Sequence, residues 1–226
     1  MPAEHPLDRP IWSALTSRHA ALAQGDLRAL RYAPEYEPFG AAADASDEAF
    51  AALRALDGAE DPLIVVEAEP RLPPDARVRR QPAVNQMVWA ADRPPTPPLF
   101  EYVELGDGDA AEMFALAFLT KPGPYAALTH RLGGFIGVKE DGRLVAMAGE
   151  RMKPAGFTEV SGVCTHPDRR GRGYAAGLMS AVIARMLARG ETPFLHAYAA
   201  NSGAIALYES LGFAFRREMQ MLVLER

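Results

Sequence analysis

The sequence predicts an α/β protein in two parts: a smaller α/β unit over residues 1–98, and a larger one over 99–226 with elements in the order β-α-β-β-β-α-β-α-β. Three observations lead there. Fourteen of the nineteen prolines lie in residues 1–98, and Pro94, Pro95, Pro97 and Pro98 close that part. Consecutive prolines fix φ and lack amide donors, so the cluster belongs to a linker rather than to a helix or a central strand. Charge divides at the same place, with ten basic and fifteen acidic side chains before it and fourteen of each after it. Beyond the cluster the apolar pattern becomes regular.

In the first part, Ile11, Leu15 and Leu22 mark an amphipathic helix over residues 11–23, and a second helix is predicted over 47–56. Short strands follow at 63–66 and at 84–89, the latter rich in β-favouring residues. No catalytic constellation is visible in this part, which reads as a packing or acceptor-covering unit. In the second part, 100–105 is a strand, and Asp107 or Asp109 caps a helix over 110–119 that ends at the sequence KPGP. Strands at 135–139 and 144–152 flank the turn Asp141-Gly142 and form a hairpin. A strand at 158–165, a periodic helix at 174–189, a strand at 194–199, a helix at 202–210 and a strand at 218–224 complete the order.

Composition narrows the function. With 49% hydrophobic and 23% charged residues the chain is an ordinary globular one, and its net charge of −5 argues against a nucleic-acid partner. The single cysteine, Cys164, excludes an internal disulfide framework and fits a reducing compartment. No stretch approaches the roughly 18 apolar residues that span a bilayer, and the amino terminus lacks a signal-like apolar run, so a cytoplasmic protein without a membrane partner is expected. The five histidines are scattered without paired ligand spacing, so no metal site is expected.

Chemistry concentrates where a strand runs into the turn Arg169-Arg170-Gly171-Arg172-Gly173, which opens the long helix. Glycines let successive amides point at one centre, the helix dipole adds positive potential, and the arginines surround it, so the turn is suited to a diphosphate. A Walker A loop needs Gly-Lys-Ser/Thr, yet no lysine follows Lys153. Gly171, Gly173 and Ala176 do fit the dinucleotide pattern G-x-G-x-x-A. The next strand, however, ends in Ala199 and Ala200 with no acid to hold a ribose, and Glu191 lies before it.

Arg170, Gly171, Arg172, Gly173, Tyr174 and Ala175 spell R-x-x-G-x-A, which resembles the pyrophosphate loop of the GNAT acetyltransferase superfamily. Downstream, Asn201 with Ala204, Tyr208, Gly212 and Phe213 resembles the N-x-x-A-x-x-x-Y-x-x-x-G-F block of the same family. The resemblance covers about residues 99–226. It implies a mixed, mostly antiparallel central sheet flanked by helices, and an acyl-CoA-dependent N-acyltransferase that transfers acetyl from acetyl-CoA to a primary amine by direct attack in a ternary complex.

The resemblance also implies roles. Gly171, Arg172, Gly173, Tyr174, Ala175 and Ala176, with Arg170, hold the pyrophosphate. The backbone of Val163, Cys164 and Thr165 pairs with the pantetheine arm, and the Val163 amide is the oxyanion donor. Asn201 contacts the cofactor or simply caps the helix that follows it. Tyr208 protonates the departing thiolate, its alternative being a packed core aromatic.

For the base, Glu159 shares a strand face with Ser161, Val163 and Thr165, and His196 stands where some relatives carry a glutamate. Against these, Glu159 could pair with Arg151, and His196 could be a satisfied interior residue. Cys164 reads as a small apolar strand residue. The acceptor, a small amine or a peptide amino terminus, is expected to meet the loop 121–131 with Tyr125 and His130. A second reading makes the fold a non-catalytic CoA or acyl-CoA sensor, and the phenol of Tyr208 separates the two.

Overall fold

The computed structural model describes residues 5–56, 62–70 and 76–224. The chain opens with helix α1 (Pro10–Leu15), a 3-10 turn at Ala20–Leu22, and strands β1 (Ala23–Asp26), β2 (Ala29–Tyr32) and β3 (Gly40–Ala42). Helix α2 (Asp47–Ala55) and strands β4 (Ile64–Glu67), β5 (Val78–Arg80) and β6 (Ala83–Trp89) follow. After the prolines come β7 (Val103–Leu105), α3 (Ala110–Thr120), β8 (Phe135–Glu140), β9 (Arg143–Glu150), β10 (Phe157–Thr165), α4 (Tyr174–Ala188), β11 (Thr192–Tyr198), α5 (Ser202–Leu211) and β12 (Phe213–Leu224). Past residue 98 this is the predicted order, and the sheet is mixed and mostly antiparallel.

Strands β1 to β3 form a small antiparallel sheet. The large sheet runs β4-β12-β6-β11-β10-β9-β8-β7, with β5 on β12, and its one parallel pair is β10 with β11. Strands β4 and β6 precede the proline cluster, yet β6 lies between β11 and β12, pairing with both from Val84 to Val88. The large sheet therefore crosses the boundary expected at residue 98. The segment after the prolines instead carries the chain from the middle of the sheet to its far edge at β7. On the way Pro98 and Phe100 pack so closely on α4 that a Cβ at Gly177 would lie 2.6 Å from the Phe100 ring.

Alternation sorts the side chains between two faces. On one, Ile136, Ala146, Ala148 and Val160 pack with Leu178, Met179, Val182 and Ile183 of α4. On the other, Phe135, Met147 and Cys164 pack with Met113, Leu116 and Ala117 of α3. The amino-terminal part joins that second face: Leu7, Ile11, Leu15, Tyr32 and Phe39 share one core with Val84, Phe194, Met219 and Met221. It is welded to the sheet through this core.

Three predicted elements differ, the first being the strand expected over 100–105, which forms only at Val103–Leu105. The helix expected over 11–23 stops at Leu15, because the chain must turn into β1, and residues 20–22 form only a 3-10 turn. The last strand begins at Phe213 rather than 218, since Phe213 and Ala214 pair with Trp89 and Val88 of β6.

Candidate active site

Strands β10 and β11 pair only from Phe157 with Thr192 to Glu159 with Phe194, and then part. On its other side β10 pairs with β9 up to Ser161, resumes at Cys164, and carries Gly162 at φ 61° in the bulge between. Glycine meets this left-handed conformation at little cost. The bulge leaves Val163 without a register partner on either side. A cleft of about 700 Å³ opens where the strands part.

The sequence motifs meet on its walls: Val163 and Thr165 from β10, the turn from Arg170 through Ala176, and His196, Asn201 and Tyr208 from the opposite side. The turn holds Gly171 and Gly173 at φ 77° and 78°, with open space where each Cβ would stand. Its arginines are not equivalent. Glu140, from the end of the β8–β9 hairpin, accepts from Arg169 Nε at 2.7 Å, Arg172 Nη1 at 3.2 Å and Tyr174 Oη at 2.7 Å. The Tyr174 hydrogen bond, then that of Arg169, holds the Glu140 carboxyl below its usual range. Arg170 has no ion pair among the described residues, and its charge is uncommitted.

Asn201 caps α5, its Oδ1 accepting from the Ala204 amide at 3.1 Å. Burial, and then the nearby Cys164, push the Tyr208 hydroxyl above its ordinary pKa, so it stays a proton donor, and no described residue hydrogen-bonds it. Cys164 itself faces the α3 core, with burial raising its thiol to about 11, so only its backbone is offered to the cleft. Thr165 Oγ1 is buried without a partner on the cleft wall. An extended amide-bearing arm with a diphosphate at one end suits this donor set: unpaired strand backbone, an orphan hydroxyl, and a glycine turn with a free arginine at a helix start.

Glu159 lies off the cleft wall and is wholly buried. Its Oε1 accepts from Arg151 Nη2 at 3.0 Å and His196 Nδ1 at 2.8 Å, and its Oε2 from Arg151 Nε at 2.8 Å. Burial alone would raise this carboxyl, but the Arg151 charge and the hydrogen bonds from His196 and Arg151 outweigh it and hold it at about 2. On the far side of the ring, His196 Nε2 stands 3.1 Å from Gln86 Nε2. That amide is fixed in orientation, since Gln86 Oε1 accepts from Arg216 and Gln86 Nε2 donates to the Leu7 carbonyl. Nε2 of His196 is thus an acceptor of an amide hydrogen, and its proton sits on Nδ1 facing Glu159.

Two groups at this site carry no sequence signal. Gln86 comes from β6, whose place beside β11 only the fold reveals. Glu37 is fully buried, with Oε2 unpartnered 3.9 Å from Arg151 Nη1 and Oε1 3.1 Å from Thr129 Oγ1. Burial pushes its pKa up to about 8 against the pull of Arg151 and Thr129. From the loop 121–131, the Tyr125 hydroxyl is likewise buried without a partner, and His130 turns to Asp107 at 2.8 Å. Among the described residues no group of three or more His, Cys, Asp or Glu is placed to hold a metal ion, and no helix is long and apolar enough to cross a membrane.

Comparison with known proteins follows the same lines. Residues 135–222 match the family model described as FR47-like protein. A crystal structure from Novosphingobium aromaticivorans, assigned to the acetyltransferases of the GNAT family, is 48% identical, with 99% of each chain covered and a TM-score of 0.89. A GCN5-related N-acetyltransferase from Kribbella flavida shares the fold at 19% identity and a TM-score of 0.64, over 96% of this chain and 95% of that one. Both likenesses extend through the amino-terminal part. No curated protein matches the sequence.

Proposed function

The chain belongs to the GNAT family of acetyltransferases, and from that premise we propose that it transfers acetyl from acetyl-CoA to a primary amine by direct attack, with both substrates held in one ternary complex. The observation that carries this reading is the meeting of the Arg170–Ala176 turn with the free Tyr208 hydroxyl across the cleft between β10 and β11. A thioester supplies an electrophilic carbonyl and a thiolate leaving group. Everything else falls to residues of this chain.

Amides of the turn and the uncommitted Arg170 bind the diphosphate, where helix dipole and charge act together. The backbone at Val163 to Thr165 takes the arm as an added strand, and the Val163 amide, in the bulge where the register skips it, donates to the oxygen that gains charge. Tyr208 gives its proton to the departing sulfur, and its raised pKa keeps that proton in place until then. Glu159 and His196 are assigned to positioning. A saturated carboxylate held at about 2 and an imidazole whose Nε2 already accepts a hydrogen bond have no free site for the proton of an incoming amine. The amine accordingly arrives neutral from solvent, and the proton its nitrogen sheds as the amide forms goes to the phenolate that Tyr208 leaves after protonating the sulfur.

The test is release of CoA thiol from acetyl-CoA against a broad panel of primary amines. Amine-dependent release, with the amine gaining an acetyl group by mass, supports transfer. Tight binding of acetyl-CoA with no release on any amine, under conditions where the protein is folded, would turn the assignment to a sensor.

A further inference from the structure

A second, smaller cavity of about 70 Å³ lies against the large cleft and shares Arg151, His196, Tyr198, Asn201 and Tyr208 with it. Its remaining walls are apolar: Phe39, Val66 and Val84 from the amino-terminal part, with Met152 and Met221. An amine placed at the shared rim, beside Tyr208, would extend its carbon group into this chamber. Resting on the transfer reading above, we propose that the acceptor is a primary amine on a small, uncharged aliphatic group, and that Phe39, Val66 and Val84 of the amino-terminal part form one side of the wall that selects it.

Size comes first. At roughly 10–15 Å³ of such volume per water-sized group, about 70 Å³ admits about five groups, the bulk of a branched C4 or C5 chain. Charge is the stronger argument. Among the described residues no Asp or Glu lines the chamber, so nothing there holds a second ammonium. Its one cation is Arg151, and that guanidinium is spent: its fork grips Glu159 at 2.8 and 3.0 Å, Nη1 lies 3.4 Å from the Pro124 carbonyl, and the Phe39 ring sits 5.0 Å away over its face. Glu37, 3.9 Å behind Arg151, does not line the chamber.

His196 presents a ring whose two nitrogens are taken by Glu159 and Gln86. What remains polar is neutral, namely the hydroxyls of Tyr198 and Tyr208 and the Asn201 amide. A carboxylate or second ammonium brought in here loses its water and finds no partner, and that cost falls on the charged acceptor alone. Three of its apolar side chains, Phe39, Val66 and Val84, precede the proline cluster, which gives that part of the chain a share in recognition.

The experiment compares kcat/KM, per concentration of free amine, for 3-methylbutylamine, leucine and putrescine, three acceptors of similar carbon bulk with no added charge, a carboxylate and a second ammonium. The proposal expects 3-methylbutylamine to exceed both others at least tenfold. If leucine or putrescine matches or beats it, or if only polar amines from the wider panel are acetylated, the chamber does not select as stated, while the transfer reading stands. If no amine of any kind releases thiol, the transfer reading fails and this inference falls with it.

Discussion

His196 Nδ1 donates to Glu159 Oε1 across 2.8 Å, joining β11 to β10 at the last residue of β10 that pairs with β11. The bond sits at the apex of the cleft. Arg151 grips the same carboxylate from β9's end, so three segments are held by one buried cluster at the point where the sheet opens. This arrangement favours a structural part for both residues.

Substitution separates that part from proton transfer. Glu159→Gln leaves Arg151 buried without its counter-charge and should cost about 3–5 kcal/mol of stability, read by denaturant unfolding. His196→Gln keeps the pair intact. The pH profile of kcat/KM per total amine for His196→Gln should retain the low-pH limb of the wild type, because that limb belongs to the free amine. Loss of the limb would make His196 the base.

Glu37 makes stability depend on pH in an unusual direction. Its folded pKa of about 8 exceeds the ordinary 4.5, so the folded state holds the proton more tightly and stability falls as pH rises from about 4.5 to about 8. Glu37→Gln removes that slope. By thermal unfolding the variant should match the wild type near pH 5 and melt higher near pH 8.5, by about 2–4 °C for each kcal/mol that ionisation costs the wild type in a chain of this size. An equal difference at both values would mean that ionisation of Glu37 is not the cause.

Gly173 sits at φ 78° at the start of α4, where it lines the cleft. Gly173→Val strains the turn by about 1–2 kcal/mol and places a branched side chain in the open space beside it. Calorimetry should show acetyl-CoA affinity reduced at least tenfold. Unchanged affinity would remove the diphosphate from this turn.

Legibility followed the range of the interactions. Local chemistry was readable: the Asp141-Gly142 hairpin, the glycine turn into α4, and the block from Asn201 to Phe213 all declare themselves within a few residues. Long-range pairing was not. Composition marks Pro94 to Pro98 as a connection, but nothing local tells that β6, just before it, inserts between β11 and β12, or that Gln86 thereby meets His196. For the same reason residues 213–217 lacked a signal as strand, since their partner lies more than a hundred residues earlier. The pairing of Glu159 with Arg151 was one of two open possibilities in the sequence, and the geometry that fills both carboxylate oxygens came only with the fold.

Transfer chemistry in this cleft is tested most directly at Tyr208. Its phenol lines the cleft, lacks a protein partner among the described residues, and holds its proton above the ordinary range. The measurement is kcat for amine-dependent thiol release by wild type and Tyr208→Phe, with acetyl-CoA affinity determined in parallel. The account predicts a fall in turnover of about 10²- to 10⁴-fold with affinity unchanged. Equal turnover in the two proteins, with the chemical step shown to limit the rate, would contradict it.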